Sequence, residues 1–215
     1  MSHTGQVFLD SPRGFSNPAR IAERVDMLET ELRVHPLREW AEDLASRRSA
    51  VVPWPDPAEA GVDARVLVVF EAPGPMTNAS NVRPGSGFVS VDNDDLTAEN
   101  CWRARVESGL EDGVLCWNMV PWYLGTAARK PTASEITDGA AELLSLMWLL
   151  PRLDTVVLCG RYAQTGWNKH LQSSLRRPAV RVIETWHPSP LAMNQPGKRA
   201  EFVEALRTAA ATRDA

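Results

Sequence analysis

Cysteine is scarce in this chain of 215 residues: Cys101, Cys116 and Cys159 are the whole supply. An odd number at wide spacing builds neither a disulfide framework nor a C-x-x-C metal knuckle, and points to a reducing compartment. Long apolar runs are missing as well. The longest nearly apolar stretch, Leu143 to Leu150, falls far short of the ~20 residues of a membrane helix. The opening MSHTGQVFLD lacks the basic and apolar regions of a secretory signal. A soluble cytoplasmic protein without a membrane partner is the expectation. No GxxxxGK[ST] loop, no GxGxxG after a strand, no HExxH and no His/Cys cluster occurs, so no phosphate loop, dinucleotide fingerprint or metal site is expected. Excess basic charge is also absent, the formal net charge being -4. The charge is uneven, however. Arg152 to Arg207 carries nine Lys/Arg against four Asp/Glu, a balance of +5, whereas residues 1–60 carry seven against ten, a balance of -3. Any polyanion is therefore expected on the C-terminal side.

What is present is enough apolar material for a real core, with 44% hydrophobic and 23% charged residues, which excludes wholesale disorder and rod-like repeats. Asn17 before Pro18 reads as an N-cap followed by proline at the first helical position, and Ile21, Val25, Leu28 and Leu32 follow at helical spacing. A second helix is expected from His35 to Arg47 with Leu37, Trp40 and Leu44 on one face, ended by a proline-rich linker from Val51 to Pro57. Residues 1–60 thus form a helical appendage packed on a main domain of residues 61–215.

Beyond the linker the pattern changes. Val66–Phe70, Val114–Trp117, Thr155–Cys159 and Val180–Thr185 are short apolar or β-branched runs of the kind found in strands buried on both faces. Between them lie helical stretches at 97–108, 133–150 and 161–175, with a last helix from Lys198 to Ala210. This alternation predicts an α/β fold: a three-layer sandwich with a central four-stranded parallel sheet, helices on both faces and extra N-terminal helices.

In such a sheet, ligands bind beyond the carboxyl ends of the strands. That rule selects Glu71–Pro75, Asn118–Trp122, Gly160–Tyr162 and Trp186–Pro190. His187 precedes Pro188, which bars it from helical geometry and fixes how the imidazole is presented. It suits a donor to a developing oxyanion, or else a capping histidine for its own loop. Asn118 can offer a donor and an acceptor to a base edge, or close an Asx-turn before Pro121. Phe88, in Pro84–Phe88, can be a stacking platform or a loop anchor. Trp122 and Trp186 flank the expected pocket. Asp92, Asp94 and Asp95 resemble part of a calcium loop without its terminal Glu, so a solvated acidic turn is expected.

These residues together resemble the uracil-DNA glycosylase superfamily, from about Val66 to the C-terminal helix. His187-Pro188-Ser189-Pro190-Leu191 is the same as the HPSPL motif of the best-known branch. Val156 to Gln164 resembles its strand-Gly-x-Tyr-Ala-Gln segment, and Gly113 to Asn118 the strand that delivers a base-reading Asn. Glu71-Ala72-Pro73-Gly74 resembles the Gly-Glu-Ala-Pro-Gly motif of an iron-sulfur branch, with Phe70 in place of the first Gly. That branch holds its cluster with four cysteines, so no cluster and no other cofactor is expected here.

The resemblance implies a monofunctional DNA glycosylase, acting as a monomer, that flips uracil or another deaminated or modified base from DNA and hydrolyses its N-glycosidic bond. His187 would stabilise O2 of the departing base and Asn118 would read its O4/N3 edge. Phe88 would stack on the ring beside Ala72, Pro73 and Gly74, and Leu191 would wedge into the vacated stack. The Pro73 and Ser189-Pro190 loops would grip phosphates, with Lys198 and Arg199 near the backbone. The best-known branch has a water-orienting Asp where this chain has Ala72, which leaves Glu71 as the substitute base. Two alternatives follow: a weak or silent binder of damaged DNA, motivated by Ala72, and a nucleoside or nucleotide hydrolase, motivated by the low net charge.

Overall fold

Four runs of branched and apolar residues form the central sheet. In the computed structural model, which describes residues 8–81, 84–125, 129–173 and 180–211, the elements run α1 (Pro18–Thr30), α2 (His35–Arg48), β1 (Trp54–Pro55), β2 (Val66–Phe70), β3 (Phe88–Val89), α3 (Leu96–Ser108), β4 (Val114–Asn118), α4 (Ala133–Trp148), β5 (Thr155–Cys159), α5 (Arg161–Gly166), β6 (Arg181–Thr185), α6 (Pro190–Met193) and α7 (Lys198–Ala211). The sheet order is β4-β2-β5-β6, all parallel. β2 lies between β4 and β5 and is buried up to its last residue, so its side chains read as one apolar run rather than an alternation. From β2 the chain moves outward to β4, then crosses back to β5 and on to β6. The carboxyl ends of β2 and β5 therefore flank the switch point at which such sheets bind ligands.

Helix ends are set by side chains. Asn17 accepts a hydrogen bond from Ala19 N–H with Pro18 next in line, as the sequence predicts. Asp95 caps α3 through Thr97 and Ala98 N–H, and Thr132 with Glu135 forms a reciprocal capping box on α4. α3 packs with α7, and α4 with α5 and the π-helical turn Trp167–Leu171. The predicted helix 161–175 is thus broken after Gly166, and positions 174 and 175 lie outside the described residues.

Three expectations for the N-terminal part are corrected. α1 ends at Thr30, so Leu32 falls in a following 3-10 turn and is 76% exposed, and Val25 is exposed too. The buried face of α1 carries Leu28, as expected, together with Arg24, while Ile21 is partly buried. The stretch 51–57 is more than a linker, because β1 pairs in parallel with β3 and Asp56 is buried. The acidic turn is not solvated: Asp92 is buried, and Arg24 donates to both Asp56 and Asp92. Burial, reinforced by the charge of Asp56, pushes the Asp92 carboxyl up to about 6 against the pull of Arg24.

A second buried pair joins Arg105 of α3 to Glu59, whose other oxygen accepts Cys116 N–H of β4 at 2.6 Å. Removing one partner of such a pair costs roughly 3–5 kcal/mol, because a charge is left buried and alone. α2 joins the main core through Leu37 and Ala41, and Trp40 Nε1 donates to Ser145 of α4 at 2.7 Å.

Candidate active site

The loops leaving β2, β4 and β6 converge on one cavity of about 480 Å³. Phe70, Ala72, Pro73 and Gly74 line it from β2, Asn118 from β4, and His187 from β6. The far wall is supplied by the segment from Val89 to Asp95 and the first turns of α3.

His187 reaches the cavity because a glycine, Gly160, follows β5. Gly160 has φ +86, and a Cβ built on it would lie 2.9 Å from the Cβ of His187. Any side chain there would push the histidine away. Phe70 meets the imidazole edge-on, with ring centroids 5.9 Å apart. Ser189 N–H donates to His187 Nδ1 at 3.2 Å, so Nδ1 is the acceptor and a neutral ring carries its proton on Nε2. Burial, with the positive charge of Lys130 added, lowers the His187 pKa to about 4. At neutral pH the ring is uncharged, carries its proton on Nε2 and lines the cavity. The loop itself is held by Asn100 of α3, whose Nδ2 donates to Pro188 O at 2.9 Å, and by Gln164 of α5, whose Nε2 donates to Thr185 O at 2.9 Å.

Asn118 ends β4 almost fully buried, with its amide on the cavity and no hydrogen-bond partner for it among the described residues. The amide is thus available to pair with a base edge that enters the cavity. Glu71 lies beside the cavity but does not line it: both carboxylate oxygens accept from Lys130 Nζ, at 3.0 and 3.1 Å. Leu191 stands out from α6 at 81% exposure. Lys198 Nζ sits 3.7 Å from the ring centroid of Trp186, and Arg199 is paired with Glu107 of α3.

The family model of the uracil DNA glycosylase superfamily matches residues 57–210. The chain belongs to that superfamily. Comparison with curated proteins finds no match. Among solved structures, the chain is similar to the crystal structure of mimivirus uracil-DNA glycosylase, at 15% identity and a TM-score of 0.44 over 83% of this chain and 74% of that one. The fold is an α/β sandwich on a four-stranded parallel sheet.

Within the superfamily frame, Phe88 needs correction. Its ring is fully buried away from the cavity, beside Phe15 and Trp54 in a second small core with Leu28 and Val34. Successive strand residues point to opposite faces, so Val89 lines the cavity and Phe88 does not. Trp122 and Trp186 do not wall the cavity either: Trp122 is buried under Arg48, and Trp186 lies outside beneath Lys198. The donor set for a four-cysteine cluster is lacking, since the three thiols are buried on α3, β4 and β5. Among the described residues, no group of three or more His, Cys, Asp or Glu could hold a metal ion, and no helix is long and apolar enough to cross a membrane.

Sequence reasoning missed Asn93, Asp94 and Asp95 as cavity residues, and Asn100 and Gln164 as supports of the histidine loop. For Asn100 no local signal exists, because its partner lies 88 positions away. Gln164 was within the motif resembling strand-Gly-x-Tyr-Ala-Gln, and its placement one turn after Gly160 was the available clue.

Proposed function

We propose that the protein is a monofunctional DNA glycosylase that removes uracil or another deaminated or modified base from DNA. The observation that carries this reading is that a neutral His187, with Nδ1 occupied by Ser189 N–H, and the amide of Asn118 line one cavity at the carboxyl ends of the strands. A base flipped into the cavity places its edge on Asn118. As the glycosidic bond breaks, negative charge gathers on the base, and a fixed neutral donor meets it without first giving up its own hydration. Leu191 fills the gap left in the stack, while Lys198, Arg199 and the Ser189-Pro190 turn approach the phosphate backbone.

The attacking water needs a base. Ala72 offers none, and Glu71 can act only after its carboxylate turns from Lys130. The same observation favours the second reading, a slow or silent binder of damaged DNA. Gly74 meets nothing within 4 Å of a built Cβ, and the cavity has room for more than uracil, so substrates wider than uracil belong to the proposal. A panel of duplexes, each with one lesion and treated with alkali after incubation, tests it. Strand cleavage at uracil and at one larger base supports the glycosylase. Tight binding with no cleavage at any lesion supports the binder.

A further inference from the structure

The family match begins at residue 57, yet the far wall of the cavity is gripped by a segment that precedes it. Leu9 N–H donates to both oxygens of Asp92, at 3.1 and 3.3 Å, and Phe15 N–H donates to the Asp92 carbonyl at 2.9 Å. Arg24 holds the same carboxylate at 2.8 Å. Between these anchors Arg13 adopts the left-handed conformation, φ 60. Its Nε and Nη2 donate to Asp94 Oδ1 at 2.8 and 2.6 Å. The Asp94 side chain is only 11% exposed and lines the cavity with Asn93 and Asp95.

Two carboxylates in the wall of a cavity that must receive a departing anion set like charge against like. Arg13 acts on both. It pairs with Asp94 directly, while burial raises the Asp95 pKa against the Ala98 and Thr97 N–H groups that Asp95 caps, with Arg13 adding a smaller opposing charge. We propose that Arg13 is a positioning residue of the active site, supplied from outside the span of the family: it fixes the acidic wall through Asp94 and cancels its charge, so that the cavity accepts an anionic leaving base. This rests on the glycosylase reading above. Arg13 is 43% exposed, and so open an ion pair adds little to folding; its effect belongs in the reaction. Unit charges about 7 Å apart, roughly the span of a base, interact by some 50-fold in rate at an effective dielectric of ~20, and screening reduces this to about tenfold.

The test is single-turnover excision from a duplex with one uracil by wild type, Arg13→Gln, Arg13→Lys and the double variant Arg13→Gln/Asp94→Asn. Affinity is read on the same duplex with 2′-fluoro-2′-deoxyuridine, which resists hydrolysis. Arg13→Gln should cut about tenfold more slowly with affinity changed less than about twofold, and Arg13→Lys should keep most of the rate. Adding Asp94→Asn to Arg13→Gln should restore the rate to within about threefold of wild type, because the carboxylate charge that Arg13 faces is removed together with it. Restoration cannot come from a merely structural loss. Full rate in Arg13→Gln, or a double variant as slow as the single, overturns this inference alone. Wild type that releases no base from the uracil duplex or from any duplex of the lesion panel overturns the glycosylase reading and this one with it.

Discussion

Replacing Gly160 by Ala is expected to damage the reaction without touching a substrate-contacting residue. The added Cβ would lie 2.9 Å from His187 Cβ, 3.4 Å from its N and 3.6 Å from its Cα. Those atoms belong to backbone and to the root of a side chain, so no flexible tip can swing clear. Restoring an ordinary carbon contact of about 3.5–4.0 Å moves the histidine by roughly 0.6–1 Å. Gly160 also sits at φ +86 and donates its N–H to Thr185 O at 2.8 Å, the link between the ends of β5 and β6. With ψ 170 this is a region essentially confined to glycine, where alanine costs about 1–3 kcal/mol, and the shifted loop adds to it. A displacement near 1 Å in a catalytic group costs about 10²-fold in rate, while removal of a single oxyanion donor costs about 10²–10³-fold and sets the ceiling. Gly160→Ala should therefore be about 1–3 kcal/mol less stable in urea unfolding and about 10–100-fold slower in single-turnover excision, with DNA affinity nearly unchanged. Wild-type rate in a folded Gly160→Ala protein would refute the claim that this glycine places His187.

Asn118→Asp replaces the amide donor by a carboxylate acceptor, so uracil excision should fall and the ranking of bases in a lesion panel should change; an unchanged ranking removes Asn118 as the reader. Because a built Cβ at Gly74 meets nothing within 4 Å, Gly74→Tyr should fold and should suppress excision of 5-hydroxymethyluracil or hypoxanthine more than that of uracil, and equal suppression contradicts the pocket assignment. In an NMR titration the His187 ring should stay neutral from pH 7 to 5 and charge near pH 4. Its lowered pKa means that the stability it contributes is present above the unfolded value and lost as pH falls through about 4; a midpoint near 6.5 contradicts the buried donor. Lys198→Ala should flatten the salt dependence of DNA binding by about one counterion, and an unchanged slope places the backbone elsewhere.

β2, β4 and β5 were legible because each is buried on both faces and reads as a nearly continuous apolar run. Val66–Phe70 and Thr155–Cys159 are the same residues in sequence and structure, whereas the edge strand β6, Arg181–Thr185, expected from the sequence as a buried strand from Val180, is largely exposed. β1 and β3 were not legible, being two residues long and defined only by pairing Trp54 with Phe88 and Pro55 with Val89 across the chain. The same register hides the fate of Phe88. Neighbouring residues on a strand face opposite ways, and nothing local says which of Phe88 and Val89 meets the cavity. Arg24 was invisible as a core residue because a charged side chain on a helix reads as solvated, and the partners that allow its burial, Asp56 and Asp92, lie 32 and 68 positions away. His187, Asn118 and the Ala72–Gly74 turn were legible for the opposite reason: each directly follows or ends a recognisable strand, and the strand-end rule brings them to one place.

Single-turnover base release from a duplex carrying one uracil, measured for wild type and His187→Ala with DNA affinity read in parallel, tests the central claim most directly. The account predicts base release by wild type, a loss of about 10²–10³-fold in His187→Ala and nearly equal affinities, because the donor acts on charge that exists only in the transition state. Equal rates in the two proteins would contradict it.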